Sequence, residues 1–465
     1  MLPKTDILST EKQEITTVNL DSKIHGLFEV VTTLSDSKVY MIGSSVRRHL
    51  THERNEFNDY DFVGVYNFDE IEASPLCKVI SRHDKYGVMK VSIDGCDVDL
   101  IHNINIVDAI SSRDITLSLL CMDETGKVVD PLGYFSDLEN KIVRIEDPVK
   151  KIGSDPVRIL RVLRFAVELE FQIDPATTDA CISFADLLRG GTAKFEAPKI
   201  RKMNPEERSK LIDLARNLGI YDQLLSVFVN RGIEAIGKNT QLKNSIARLK
   251  DFLKTSNFYI YGGSLRDAAL DSPISDIDVK LSTTPDELMA LLNGNGYTET
   301  DDYHLPENTF FYNRKFNAIS IRLEGMVYDF TFLENLDLES WYKNCDVNSN
   351  ALMMDAASGV VLNSELLGKI LIGVLELCDP NKEEMDPLKF ANFLKQVAKI
   401  KGLILDPTSM STITRNMPNI YKYFSENPRM LYRVKSIMGR ENSSQVIDII
   451  RALPQGEELL CLLEG

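Results

Sequence analysis

The chain has one tryptophan and six histidines in 465 residues. Its seven cysteines (Cys77, Cys96, Cys121, Cys181, Cys345, Cys378 and Cys461) are scattered and odd in number, with no C-x-x-C pair. That argues against a disulfide framework and a paired-cysteine zinc site, and for reduced thiols in a cytoplasmic setting. No apolar run approaches membrane-spanning length, so no membrane partner is expected. The lead-in from Met1 to Val18 is polar and charged and does not read as a secretory signal. An excess of positive charge is also missing, since the formal net charge is −16. Net charge speaks to solubility and association rather than to fold, so any anion-binding surface must be local.

The residues that are present organise around positions 39–65. An apolar run, Val39-Tyr40-Met41-Ile42, breaks at Gly43-Ser44-Ser45, resumes at Val46-Arg47-Arg48, and reaches Asn58-Asp59-Tyr60-Asp61-Phe62-Val63. This reads as strand, small-residue turn, helix start, loop and second strand. Residues two apart in a strand share a face, so Asp59 and Asp61 present two carboxylates together. Such a pair repels itself unless a cation intervenes, and hard divalent ions that accompany phosphates take oxygen ligands. A turn entering a helix offers free backbone N–H groups to a phosphate. A surface acid pair beside an ordinary turn is the plain alternative. A strand at Cys96-Asp97-Val98-Asp99 follows; Asp97 fits a third metal ligand or an edge-strand solubility charge. Asp155-Pro156 opens a helical pattern through Phe171, with Asp155 suited to cap it. Arg158, Arg161 and Arg164 recur three apart along it, as a phosphate rail or as a solvated stripe.

Then the chain starts over. Tyr259-Ile260-Tyr261-Gly262-Gly263-Ser264-Leu265-Arg266-Asp267 repeats the strand, turn and helix, and Asp276-Ile277-Asp278 repeats the acids. Asp97 finds Asp329 and Asp114 finds Asp346, both at an offset of 232; Asp155-Pro156 finds Asp386-Pro387 at 231. One offset held over so many sites indicates an internal duplication that divides the chain near residue 245.

These pieces resemble a known family. The turn-arginine pattern followed by D-x-D resembles the head signature of the polymerase-β-like nucleotidyltransferases. Arg113-Asp114-Ile115-Thr116, Asp130-Pro131-Leu132-Gly133 with Asp137-Leu138, and Ser154-Asp155-Pro156-Val157-Arg158 through Phe165 resemble successive elements of the bacterial-type (class II) tRNA nucleotidyltransferase and poly(A) polymerase family. The resemblance implies an α+β fold: two heads, each a small mixed sheet with helices, each followed by a helical neck. The expected domains are 23–150 (first head), 151–245 (first neck and body), 246–380 (second head) and 381–465 (second neck and body).

The family implies template-independent addition of nucleotides to an RNA 3′ end, a tRNA CCA end or poly(A), with two Mg2+ ions and with ATP and possibly CTP as substrates. Carried over, Asp59 and Asp61 hold the metals, with Asp97 as third catalytic acid. Gly43, Ser44, Arg47, Arg113, Asp114, Arg161 and Arg164 bind the triphosphate, while Asp155 and Arg158 read the base edge. The first copy departs from the pattern at Arg48, Ser118 and Ser154. The second keeps Gly262, Gly263, Arg266, Asp276, Asp278 and Asp329 but has Cys345, Lys389, Asn392 and Lys395 where the first has Arg113, Arg158, Arg161 and Arg164. Lysine is a poor substitute at a bidentate site, so the first copy is expected to be active and the second degenerate. A catalytically inactive RNA-binding protein or scaffold, or transfer to a protein or small molecule, are the alternatives. Lys194, Lys199, Arg201, Lys202 and Arg208 form the densest basic cluster, which could contact RNA phosphates; Glu196, Glu206 and Glu207 dilute it.

Overall fold

Alternating apolar residues build the first sheet. The computed structural model describes residues 6, 8, 14–51, 58–111, 113–188, 193, 195–302, 304–333, 337–381, 383–400, 402–438 and 443–464. Lys194 lies outside them. Eight strands, β1 (Glu14–Thr17), β2 (Tyr40–Ile42), β3 (Asp59–Gly64), β4 (Lys78–His83), β5 (Val88–Ile93), β6 (Cys96–His102), β7 (Cys121–Met122) and β8 (Lys127–Val129), lie in the order β1-β8-β7-β2-β3-β6-β5-β4. β3 and β6 run parallel, and their neighbours run antiparallel to them. Period-two alternation gives each face its own core. Met41, Phe62, Leu100 and Met122 pack beneath the helix Ser22–Thr33 with Phe28, while Tyr40, Ile42, Val63 and Cys121 pack on the other side. Asp59 and Asp61 belong to the second face, where apolar cover gives way to acid.

Two short strands, β9 (Ile142–Val143) and β10 (Gln172–Ile173), pair in parallel. A separate helix, Pro148–Ser154, precedes the neck helix expected from Asp155 to Phe171, which runs Arg158–Glu168. Asp155 ends the first rather than capping the second, whose N-cap residue, Val157, makes no side-chain cap bond.

The second sheet has seven strands, β11 (Phe258–Tyr261), β12 (Asp276–Leu281), β13 (Thr298–Glu299), β14 (Thr309–Asn313), β15 (Ala318–Leu323), β16 (Met326–Phe332) and β17 (Met353–Asp355), in the order β13-β14-β15-β16-β12-β11-β17. Taken from β17, the run β17-β11-β12-β16-β15-β14 has the topology of β7-β2-β3-β6-β5-β4. A parallel pair, β18 (Val374–Leu375) with β19 (Ile404–Leu405), matches β9 with β10. Asp386 does cap the helix Pro387–Lys399, accepting from Leu388 N–H at 2.9 Å. Phe390, Phe393, Ile420, Phe424, Val434 and Ile450 form the core of the helices that follow.

The chain divides into two compact units, Met1–Leu187 and Leu188–Gly465. The helices Glu196–Lys202, Pro205–Asn217, Tyr221–Lys238 and Thr240–Leu253 thus pack with the second sheet, although sequence order alone groups residues 151–245 as a neck and body of the first head. Close approach explains it. A Cβ at Gly232 would meet Leu367 at 3.1 Å, one at Gly368 would meet the Leu225 carbonyl at 2.9 Å, and Arg208 donates to the Gly402 carbonyl. No helix among the described residues is long and apolar enough to cross a membrane.

Candidate active site

In the first head, the turn after β2 comes down onto the acids of β3. Gly43 has φ +76°, and a Cβ there would meet Arg113 Nη1 at 2.8 Å and Asp61 Oδ2 at 3.0 Å. Only glycine leaves that space. Ser44 opens the turn helix Ser44–Thr51. In the β3–β6 ladder Asp59 pairs with Asp97 and Asp61 with Asp99, so four carboxylates share one face. Burial, then Asp61 beside it, pushes the Asp99 carboxyl up to about 6.

Two cations hold this cluster together. Lys90 Nζ on β5 lies 3.1 Å from Asp59, 3.2 Å from Asp97 and 4.0 Å from Asp99. Arg113 Nη1 lies 3.0 Å from Asp61 Oδ2. Lys90 was not singled out by the sequence reading, and Asp99 was noted without a role.

The remaining candidates divide by position. Arg47 is 1% exposed, with its guanidinium 4.7 Å from the ring centre of Phe165 on the neck helix. It lies beneath the turn instead of being presented to solvent, because the turn helix packs its inner face against the neck. Asp114 is claimed by Arg161, with Arg158 Nε at 3.6 Å. Arg158 also donates to the Lys151 carbonyl and to Ser154 Oγ. Arg164 is 8% exposed, paired with Glu168 at 2.7 Å and stacked on Phe165. Asp155 stands in the corner between the two neck helices, so it and Arg158 do not share a helix. Asp130 and Asp137 act as braces: Asp130 accepts from the backbone of Leu132, Gly133 and Phe135, and Asp137 takes Thr116 and Arg144.

The second head repeats the geometry with different partners. Gly262 has φ +74°, and a Cβ would meet Asp278 Oδ2 at 2.9 Å. Asp278 pairs with Asp329 in the β12–β16 ladder. Asp329 is therefore the counterpart of Asp99, not of Asp97; the constant offset runs two residues out of register at this strand, and a slip of two keeps the same face. Carboxylate oxygens of Asp276, Asp278 and Asp329 lie within 4.8 Å of one another. Burial and the other two acids push Asp278 up to about 7, and burial raises Asp329. Where Lys90 faces Asp99, Ser320 faces Asp329 and donates to it. Arg266 is 1% exposed and is held by Asp267, Asn350 and Gln396. A cavity of about 590 Å³ opens here, lined by Gly263, Asp276, Asp278, Cys345, Lys395 and others.

No family model matches the chain. Over 261 residues it is 26% identical to a CC-adding tRNA nucleotidyltransferase of Halalkalibacterium halodurans, covering 55% of this chain and 67% of that one. Over 156 residues it is 30% identical to a multifunctional CCA protein of Nitrosomonas europaea, covering 30% of this chain and 37% of that one. The solved Thermotoga maritima CCA-adding enzyme complexed with tRNA aligns with a TM-score of 0.38 and 22% identity, covering 49% of this chain and 62% of that one. The chain therefore matches between about a third and two thirds of the length of these proteins. Over part of its length the chain is thus similar in sequence to a bacterial CC-adding tRNA nucleotidyltransferase and to a multifunctional CCA protein.

Proposed function

We propose that the chain adds nucleotides to an RNA 3′ end without a nucleic-acid template, at a tRNA CCA end or as poly(A), using ATP and possibly CTP. We place the activity in the first head and read the second as degenerate. The observation that carries this is the acid face of β3 and β6 beneath the Gly43 turn, with Arg113 beside it. Four carboxylates on one face suit hard cations, and Asp59 and Asp61, joined by Asp99 or Asp97, would hold Mg2+. Bound Mg2+ would supply the positive charge that stabilises phosphoryl transfer. The chain's own part is positioning. The turn N–H groups and Arg113 hold a triphosphate, while Arg47, packed on Phe165, keeps the turn in place. Arg161 fixes Asp114, and Arg158 with Asp155 offers donors and an acceptor to a base edge. The protein, Mg2+ and each labelled nucleoside triphosphate are to be incubated with tRNA lacking its end or with oligo(A). Label on RNA is expected. Label on protein, or on nothing, overturns the proposal.

A specific observation favours a second reading of which head works. Lys90 bridges three acids in the first head, whereas in the second head Ser320 holds the matching position and donates to Asp329. If metal access decides, the second head is the active one.

A further inference from the structure

Of the basic cluster around residue 200, Lys199 is paired with the buried Glu196 at 3.1 Å, and the buried Arg208 donates to the carbonyls of Arg201, Met203 and Gly402, so both serve the fold. A second run of cations lies further on. Residues 427–440 carry Arg429, Arg433, Lys435 and Arg440 and no Asp or Glu, in a chain whose formal net charge is −16. Within this run a 3-10 turn, Pro428–Leu431, leads straight into the helix Tyr432–Met438. Burial divides the stretch into two faces. Leu431, Val434 and Ile437 are buried in the core of the last helices, with Phe390 and Val446. Arg429, Tyr432 and Lys435 recur three apart on the outside and are exposed, with Arg433 half-buried beside them. Tyr432 is 61% exposed. Two other exposed rings, Tyr86 and Phe316, each have the preceding lysine over the face, at 5.5 and 5.4 Å. Among the described residues nothing is stacked on Tyr432, and no carboxylate pairs with Arg429, Arg433 or Lys435.

We infer that this face grips single-stranded RNA: one unpaired base stacks on the Tyr432 ring, and the phosphates on either side meet Arg429, Arg433 and Lys435. Stacking on a side-chain ring needs a base freed from its own helix, and every base offers a π-face. The contact therefore selects single strands and not sequence. The cations give an acidic chain local purchase on a polyanion. A membrane surface suits the stretch less well. Its apolar residues are turned into the core and leave one ring to insert, whereas an interfacial helix buries a whole apolar face. The inference rests on the reading that RNA is the substrate.

The test uses the full chain. Binding of a labelled oligo(A) and of a blunt RNA duplex is measured by fluorescence anisotropy over a salt series, for wild type, Tyr432→Ala, Tyr432→Phe and Arg429→Gln/Arg433→Gln. Tyr432→Ala is expected to weaken oligo(A) binding about fivefold or more at every salt concentration and to leave the duplex nearly unchanged, while Tyr432→Phe keeps the affinity. The arginine pair is expected to reduce the salt slope by about 1.4, at about 0.7 per single-strand phosphate. Lys435→Gln, with about half that change, serves if the pair melts early. Unchanged affinity and slope in folded variants overturn the inference. So does an equal loss for the duplex, or loss of binding to anionic phospholipid vesicles with oligo(A) binding intact, which would make the face a membrane contact. If wild type binds oligo(A) through this face yet transfers no nucleotide, the surface stands and only the catalytic reading falls. Transfer with RNA binding indifferent to these substitutions sinks the surface alone.

Discussion

Lys90 and Ser320 occupy matching positions, each opposite the acid at the centre of its sheet. Burial works against the Lys90 charge, but hydrogen bonds to Asp59 and Asp97 outweigh it and raise its pKa. A lysine so placed competes with a divalent cation for the same oxygens. Lys90→Ser should therefore lower the Mg2+ concentration for half-maximal transfer by about threefold to tenfold, since a part-exposed ion pair is worth about 1 kcal/mol. An unchanged Mg2+ titration would show that the lysine is no competitor. The second head has the opposite condition. Asp278 titrates at about 7 in the folded chain against an ordinary 3.8. The folded state binds that proton more tightly, so the stabilisation is complete below pH 4 and is lost as pH rises through 7. In EDTA, Asp278→Asn should melt above wild type at pH 8, by about 2–8 °C, with the gap closing toward pH 4. Parallel melting profiles across that range would contradict the burial and acid crowding described above.

At the scale of elements, each turn helix is docked on a neck helix, and the two heads use different chemistry for it. Arg266 is met by the Gln396 amide; Arg47 is met by the face of Phe165, the residue at the equivalent neck position. Asp267 pairs with Lys399 at 2.8 Å. The equivalent residues in the first head are Arg48 and Glu168, so the charges have changed places. Arg48, an oddity in the motif, thus carries the charge opposite to that of Asp267, as Glu168 does to that of Lys399. Arg48→Asp alone should destabilise the first head by about 1–2 kcal/mol, and adding Glu168→Lys should recover most of it, as a double-mutant cycle in urea would measure. Additive losses would mean that the two positions do not communicate.

At the scale of the whole molecule, two heads of one topology present acids beneath a glycine turn, and the question is which one works. The first has Arg113 at Asp61 and three arginines on its neck. The second has Cys345 and a neck of Lys389, Asn392 and Lys395, of which Lys389 donates to the Asn344 and Cys345 carbonyls and Asn392 to Asp346. Positioning dominates phosphoryl transfer, so Asp59→Ala should reduce nucleotide incorporation by about three orders of magnitude, several kcal/mol of lost charge stabilisation. Asp276→Ala should leave most of it. The opposite result in the side-by-side assay would move the activity to the second head.

Local pattern by itself determined the paired acids of β3 and β12, the turns at Gly43 and Gly262 and the two-fold plan, because alternation and glycine turns act over a few residues, while the α+β class came with the family resemblance. Asp94-Gly95, both at positive φ, form a two-residue hairpin turn. Such a turn sets Ile93 opposite Cys96 and hence Lys90 opposite Asp99. Only the tertiary structure decided the rest. The β3–β6 neighbourhood joins parallel strands through a long crossover, so its register, and with it the choice of Asp99 over Asp97 beside Asp61, depends on packing across both faces. The break of the neck at Asp155 and the burial of Arg47 and Arg208 follow from helices that touch only once the chain is folded.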